Sequence, residues 1–564
     1  MTLIYFLTFI VLLPCVHLDE AVKDDYSESL LIKPLPDGMI YNHFQFKTIL
    51  HQDIEYLHLE NHFDRFPLAI GNFISKNLIK ELTFSLGRGH WKLNTWGYPL
   101  RYQPNGAELW VTLQNFNPNP WKSWKDITST LSGLFCASLN FIDKAATTKP
   151  KFSLKPDGIF INDSYRPDNV FYASLAHEAV CTENLTPWKK LLPCFSKAGL
   201  ASLLNAVQIF NSNYFALSLD VKSICRNPSC NETSTEITQS VQVVFNPPAM
   251  FEGKHRWSIV KFFGTSLKEE CKLASSSKIY VETTVNDTDN SYNLSPLPET
   301  SIESDFQGEK RRFAVYDVKK MIEHNRNNNV NKFNIYSMYQ KEYIYKKVNP
   351  PYITAHRYIT GYGVYLGGIT CRITNSLTKA QNVTYLDVIP WYLRIYIHTL
   401  SITSNNVEIK PSKLYHKPGK DRAQPHHIEI ILELPPLSDT IITYDFERAF
   451  LKWTEFPPDA NHGVYVGAAT LTFQPTNFQN LTIHPEHTES LDPPTIKIKT
   501  ENLLVSLPTP DFSMPYNVIC LVSTVITLAF GPIHNLTTKR ARIAIQSKEG
   551  SNLKDRIFKF FKRS

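Results

Sequence analysis

HIEIILEL, residues His427 to Leu434, sets Ile428, Ile430, Leu432 and Leu434 at every second position before Pro435-Pro436 ends the run. Successive side chains of a strand point to opposite faces, so this period of two buries one continuous apolar face. WYLRIYIHTLSIT (Trp391–Thr403) is rich in β-branched and aromatic residues, and GVYVGAATLTF and PTIKIKTENLLVSL further on read the same way. Strands spaced by Pro, Gly and Asn turns, with no helical period among them, must cover one sheet with another. The expectation for residues 301–510 is therefore a β-sandwich domain.

Residues 19–300 read as a luminal domain of mixed α/β pattern. In TPWKKLL, Thr186 reads as a helix N-cap with Pro187 at the first helical position, and Ser196 reads as the cap of a second helix through KAGLASLLNAVQIF. Two polar stretches, Asn286–Ser301 and His324–Asn334, have loop compositions. The fold class is thus mainly β, with an α+β N-terminal half, a β-sandwich C-terminal half and one C-terminal transmembrane helix. Hydrophobic content of 43% and charged content of 20% exclude bulk disorder.

The termini carry targeting signals. LIYFLTFIVLLP (Leu3–Pro14) has the length of a signal-peptide core and is too short to span a bilayer, so residues 1–18 read as a signal peptide. VICLVSTVITLAFGPIHNL (Val518–Leu536) holds no charge and is long enough for a ~30 Å hydrocarbon layer. Lys539, Arg540 and Arg542 follow it directly, which puts that end in the cytoplasm by the positive-inside rule. Residues 511–537 are read as juxtamembrane segment and span, and 538–564 as a basic cytoplasmic tail: a single-pass type I membrane protein. Residues 539–564 carry nine Lys/Arg against two Asp/Glu, a net +7 that equals the charge of the whole chain. The body is neutral, so nucleic acid has no electrostatic support as a partner. Before the span lie sequons at Asn162, Asn184, Asn231, Asn286, Asn293, Asn382 and Asn480, read as N-glycosylation sites of a secretory-pathway protein.

Little suggests chemistry. Neither a phosphate loop nor a G-x-S-x-G elbow occurs, and GYGVYLGG (Gly361–Gly368) has the wrong spacing for a dinucleotide turn. No catalytic residue, metal site or cofactor is expected. HEAVCTENLTPWKKLLPC (His177–Cys194) resembles part of a zinc-protease motif, but Cys-x-x-Cys partners are missing. Seven cysteines face the lumen: Cys136, Cys181, Cys194, Cys225, Cys230, Cys271 and Cys371. In an oxidising compartment disulfides are the default, and an odd number leaves one thiol free, catalytic or joined to another chain. Cys225 and Cys230, close in sequence, form a candidate intrachain disulfide. Cys181 stays open between nucleophile, metal ligand and intermolecular bond.

Long, idiosyncratic stretches then narrow the choice: LPDGMIYNHFQF (Leu35–Phe46), GAELWV (Gly106–Val111), LSGLFCASLNFID (Leu131–Asp143), EAVCTENLTPWKKLLPC (Glu178–Cys194), IPWYLRIYIHTLSIT (Ile389–Thr403), ERAFLKWTEFPPDANHG (Glu447–Gly463) and LPTPDFSMPYNVIC (Leu507–Cys520). With them the chain resembles the PIG-T family, the non-catalytic subunits of the glycosylphosphatidylinositol (GPI) transamidase complex of the endoplasmic reticulum membrane. The resemblance implies a structural and assembly subunit, not an enzyme. It implies further subunits as partners, among them a caspase-like catalytic subunit, PIG-K, joined by an intermolecular disulfide that the family's motif places at Cys181. Cys371 is a departure from the family pattern and leaves another thiol to be accounted for. Asn517, at the membrane interface after Pro510 and Pro515, is a candidate contact to a lipid headgroup such as that of GPI. The competing reading is a stand-alone type I β-sandwich receptor.

Overall fold

The computed structural model describes residues 24–539 except 59–64, 160–166, 195–196, 228, 284–289, 307–308, 328–332, 340, 342, 346–349, 458, 477–480, 488–494, 510 and 512. The expected signal peptide, the basic tail from residue 540 on and the sequons at Asn162, Asn286 and Asn480 lie outside the described residues. Residues up to Pro508 form one compact unit and those from Thr509 a second.

The N-terminal half is built on strands β1 (Asp25–Pro34), β2 (Ile40–Leu50), β3 (Ile79–Arg88), β4 (Gly106–Leu113), β5 (Val170–Leu175), β6 (Tyr214–Cys225), β7 (Thr233–Phe245), β8 (Ser276–Thr283), β9 (Tyr292–Ser295), β10 (Thr300–Phe306), β11 (Glu309–Asp317) and β12 (Tyr336–Tyr339). All but β9 and β12, which pair with each other, join one ten-stranded sheet of order β10-β11-β8-β1-β2-β7-β6-β3-β4-β5. Its pairings are antiparallel except β1 with β8. Helices cover one face. The helix Pro120–Phe135 starts at Asn119, whose side chain accepts from Lys122 N, with Pro120 at the first position, where a missing N–H costs nothing. It turns Trp124, Ile127, Leu131 and Phe135 into a core shared with Phe84, Leu109, Phe171 and Leu217 of the sheet.

The C-terminal half is the expected sandwich. Strands β13 (Ile353–Thr360), β14 (Leu366–Asn375), β15 (Gln381–Ile389), β16 (Leu393–Ser404), β17 (Val407–Glu408), β18 (Lys413–Lys417), β19 (His426–Leu434), β20 (Ser438–Arg448), β21 (Val464–Val466), β22 (Thr470–Phe473), β23 (Ile496–Lys499) and β24 (Leu503–Val505) follow in chain order. Two five-stranded sheets, β13-β14-β20-β16-β17 and β18-β19-β15-β22-β23, share one apolar core. Ile428, Ile430, Leu432 and Leu434 all enter it, as their alternation requires. The opposite face of β19 is not left to water. Glu429 is buried there and accepts from the backbone N–H groups of Phe152 and Ser153 at 2.5 and 2.9 Å. Beside it His427 Nδ1 lies 2.7 Å from Thr148 Oγ1. The sandwich core also takes in Tyr41, Trp91, Tyr98 and Tyr214 from the N-terminal half. Tyr98 OH donates to Ile353 O at 2.9 Å and accepts from Ile353 N at 3.0 Å, tying the halves together. The first sheet runs past residue 300 to Asp317 in β11.

Three local expectations are corrected. The helix in the cysteine motif runs Thr182–Lys190, so Thr186 is not its N-cap and Pro187 is interior. Its start is set by Asn184, which reaches back to the Cys181 N–H, a capping half-box that a search for Ser, Thr or Asp at the cap overlooks. The expected helix after Ser196 is broken into a 3-10 turn, Leu200–Leu203, and a short helix, Ala206–Phe210, with Asn205 capping the latter. The polar stretch Asn286–Ser301 contributes β9, and the helix Val318–Asn327 runs into the other one.

The second unit contains the helix Ser513–Thr538, 26 residues long and apolar enough to cross a membrane. At 1.5 Å per residue it measures ~39 Å, more than the hydrocarbon thickness. Asp511 accepts from Ser513 N at 2.9 Å ahead of its first turn.

Candidate functional site

The cysteines sort themselves by burial. Cys194 is bonded to Cys271, and Cys225 to Cys230 across the turn between β6 and β7. Cys371 is unpaired and sits in the sandwich core, where burial pushes its thiol up to about 12. A neutral, buried thiol is inert to exchange. Cys520, also free and exposed, lies on the apolar helix of the second unit, and in the first unit Cys136 and Cys181 remain, both exposed and both unpaired.

These two thiols share one support. The helix Pro120–Phe135 ends with Cys136 in the left-handed region at φ 52°, which turns the carbonyls of Phe135 and Cys136 out of the helix. The Asn184 Nδ2 donates to both, at 2.8 and 3.1 Å, while its Oδ1 accepts from Cys181 N at 2.6 Å. One carboxamide therefore closes the C-terminus of one helix and opens the next. Behind it, Leu185 and Trp188 are fully buried. Trp188 Nε1 donates to Ser218 O of β6 at 2.9 Å, and Gln239 Nε2 of β7 donates to Trp188 O at 3.2 Å. The Cys181 backbone is thus held on the sheet while its side chain faces out.

Asn184 is buried, with its amide nitrogen engaged twice. A sugar at this sequon would be attached through that same nitrogen. Asn231, Asn293 and Asn382 are exposed. The His-Cys pair suggested by the motif is not assembled either. The His177 ring stacks on Tyr465 at 4.7 Å and 7°, and among the described residues no hydrogen bond joins it to Cys181. Glu178 accepts from Ser138 N at 2.9 Å and serves the loop after the first helix.

Two concave regions are found among the described residues, the smaller of them beside this platform. The larger, about 810 Å³, lies between the ten-stranded sheet and the segment around Lys497. Its charges cancel in pairs: Arg101 with Asp220, Lys499 with Glu108, Lys222 with Glu236 and Lys497 with Asp157. Glu81 faces it too, accepting from Asp157 N and Gly158 N, and burial raises its carboxyl to about 7 against those bonds and the attraction of Lys497. The smaller cleft, about 610 Å³, is lined by the residues from Ala176 to Val180 that lead into Cys181, by Gln103, and by Tyr465 and Asn502. Asn502 Nδ2 spans one side of it, donating to Asn105 O at 3.1 Å and Ala176 O at 3.3 Å. Sequence reading missed Cys136 as a second exposed thiol, and the structural use of Asn184. Asn three positions after Cys181 is a capping signal that reading as a sequon obscured.

Asn517 lies on the exposed helix Ser513–Thr538 of the second unit. Comparison with known proteins completes the picture. The family model described as Gpi16 subunit, GPI transamidase component, matches residues 8–252 and 247–562. The GPI-anchor transamidase component PIGT of Mus musculus is 40% identical, over 98% of this chain and 95% of its own length. The Homo sapiens protein of the same name is 40% identical, over 93% and 92%. The GPI transamidase component GPI16 of Saccharomyces cerevisiae is 29% identical, over 93% and 90%.

Proposed function

Because the chain belongs to the Gpi16 family of GPI transamidase components, we propose that it is the non-catalytic assembly subunit of that complex. In this reading it holds the caspase-like catalytic subunit by a disulfide from Cys181. The observation that carries it is the platform itself. A thiol fixed at a helix start by Asn184, and exposed while Cys371 is buried, is prepared for a bond to another chain rather than for acid–base chemistry. A mobile thiol loses more entropy on pairing than one already held.

The remaining parts follow the same reading. The luminal body comprises the α+β domain, taken from residue 19 to 300, and the sandwich, 301 to 510. The helix Ser513–Thr538 anchors it in the endoplasmic reticulum membrane in type I orientation, after removal of the signal peptide, with the basic tail in the cytoplasm. Glycans are carried at exposed sequons such as Asn231, Asn293 and Asn382, and Asn517 meets a lipid headgroup, that of GPI included. A non-reducing gel of the complex tests the central claim. The high-mass adduct is expected in wild type and in Cys136→Ser, and is expected to vanish in Cys181→Ser. Absence of any adduct in wild type overturns the tether.

A further inference from the structure

The glycine-rich stretch GYGVYLGG belongs to no site described so far. It makes the turn from β13 into β14, where Gly361 and Gly363 take φ of 78° and 129°, and it carries Tyr362, Val364, Tyr365 and Leu366 into solvent. The loop after β20 meets it there. Arg448 is buried and donates from its backbone N to Tyr365 O at 2.8 Å, and from Nη1 to Gly363 O and Leu366 O at 3.1 and 2.6 Å. The Phe450 ring lies 5.7 Å from that of Tyr365, and Trp453 follows three residues on. Tyr362, Phe450 and Trp453 are 101, 70 and 66% exposed. Large apolar side chains gathered on a fixed turn and left in water mark a surface that something covers.

Strand register places these residues at one end of the sandwich. Leu366 of β14 pairs with Glu447 of β20, and Leu393 of β16 with the next residue, Arg448. In the other sheet Ile389 of β15 pairs with His426 of β19. The turns 361–365, 390–392 and 418–425 and the loop 449–456 therefore all leave from the same end. The chain itself leaves there too. Thr470 of β22 pairs with Lys499 of β23, and β21 and β24 continue that register from Val466–Leu503 to Val464–Val505. Because Leu386 of β15 lies opposite Thr470, Val505 has passed the level of Ile389, and the first unit ends at Pro508. Four residues, Thr509 to Phe512, then lead to the helix Ser513–Thr538. From Pro508 to Asn517 the chain reaches ~24 Å at most, whereas the turn at the far end of β14 lies ~30 Å farther back.

We infer that this end of the sandwich rests in the luminal interface of the bilayer, with Tyr362, Tyr365, Phe450 and Trp453 among the lipid headgroups. This goes beyond the assembly role and rests only on the reading of Ser513–Thr538 as a type I anchor. Tyrosine and tryptophan suit that depth, since the ring enters the acyl boundary while the O–H or N–H keeps a polar partner. Val364 and Leu366 add apolar area between them. Charge does not oppose the contact: Asp421 is paired with Arg394 and Glu455 with Arg422, and Lys420 and Lys452 are exposed. A single span on a short linker leaves a luminal body free to tilt, and a second contact at the interface removes that freedom.

The test uses the full chain in phosphatidylcholine nanodiscs, with and without lipid spin-labelled near the headgroup, which quenches tryptophan on contact. Trp453 is the last tryptophan of the chain, so the span and tail contribute no signal. Quenching is expected in wild type, and Trp453→Phe is expected to lose at least half of it. Tyr362→Ser with Phe450→Ser keeps the reporter and is expected to reduce its quenching at least twofold. All three side chains are exposed, so their replacement asks nothing of the core. Expressed with the other subunits, the double variant is expected to recover them in wild-type yield. A chain that enters the discs unquenched, or whose quenching survives Trp453→Phe unchanged, overturns the contact and leaves the anchor standing. Loss of another subunit from the double variant overturns it as well, and makes this end a protein interface. A chain that does not enter the discs removes the anchor, and the inference falls with it.

Discussion

Asn184 is the most heavily committed polar side chain near the exposed thiols, and replacing it separates two readings of one tripeptide. In Asn184→Ala, the carbonyls of Phe135 and Cys136 and the N–H of Cys181 all lose a partner, at 2.8, 3.1 and 2.6 Å. A net loss of about 1 kcal/mol per hydrogen bond, raised by the burial of Asn184, gives about 3–4 kcal/mol for the three. Because a chain of several sheets does not unfold in one step, the useful observable is local opening, read by amide hydrogen exchange. Exchange in peptides covering residues 135–139 and 181–190 should accelerate by between about 100- and 1,000-fold, with the sandwich peptides unchanged. Thr186→Ala is the matched control. Thr186 is exposed, so its loss destroys the sequon and leaves the clamp intact. Neither the glycan mass nor the exchange rates should change. Loss of a glycan in Thr186→Ala, or less than about a fivefold acceleration in Asn184→Ala, refutes the clamp.

Two further outcomes follow from buried charge. Burial raises Glu28 to about 7, against hydrogen bonds from Ser277 and from Leu200 N and the attraction of Lys319. A carboxyl raised on folding binds its proton more tightly in the native state, so stability falls as pH rises from the unfolded value near 4.5 through 7. Glu28→Gln should remove that slope and melt closer to wild type at pH 5 than at pH 8, where the wild type carries a penalty of about 3 kcal/mol; parallel melting curves at the two pH values would contradict it. In the sandwich core Arg357 Nη2 meets Asp387 Oδ1 at 2.9 Å with both side chains fully buried. Asp387→Ala strands the guanidinium and should cost about 3–5 kcal/mol, seen as a lower melting temperature or loss of folded protein, whereas a melt within 1–2 °C of wild type would show the pair to be dispensable.

The sandwich was legible because its strands alternate cleanly. Ile428 to Leu434 announce which face is covered, and no distant partner is needed to read that. The outer face of β19 was not legible, since burial of Glu429 depends on residues 151–153, more than 270 positions away. The helix at Thr182 was misplaced for a local reason. Proline favours a first turn, which points to a start at Pro187, but tertiary anchoring by Trp188 holds a helix that continues through it. The thiol site was half legible. An odd cysteine count points to an unpaired thiol, yet only three-dimensional burial separates Cys371 from Cys136 and Cys181.

The parallel pairing of β1 with β8 has a consequence for the chain as it is made. Ser277 of β8 bonds Glu28 of β1 across 249 residues, and the Cys194–Cys271 bridge likewise waits for Cys271. At a synthesis rate of about 5–20 residues per second, β1 and β2 stand without that neighbour for about 12 to 50 s. During that interval the edge of β1 that β8 later covers, with Leu30 and Ile32 beside it, is open to any other strand. The chain is a client of chaperones before its first sheet is complete, and its yield should follow chaperone supply more closely than its final stability would suggest.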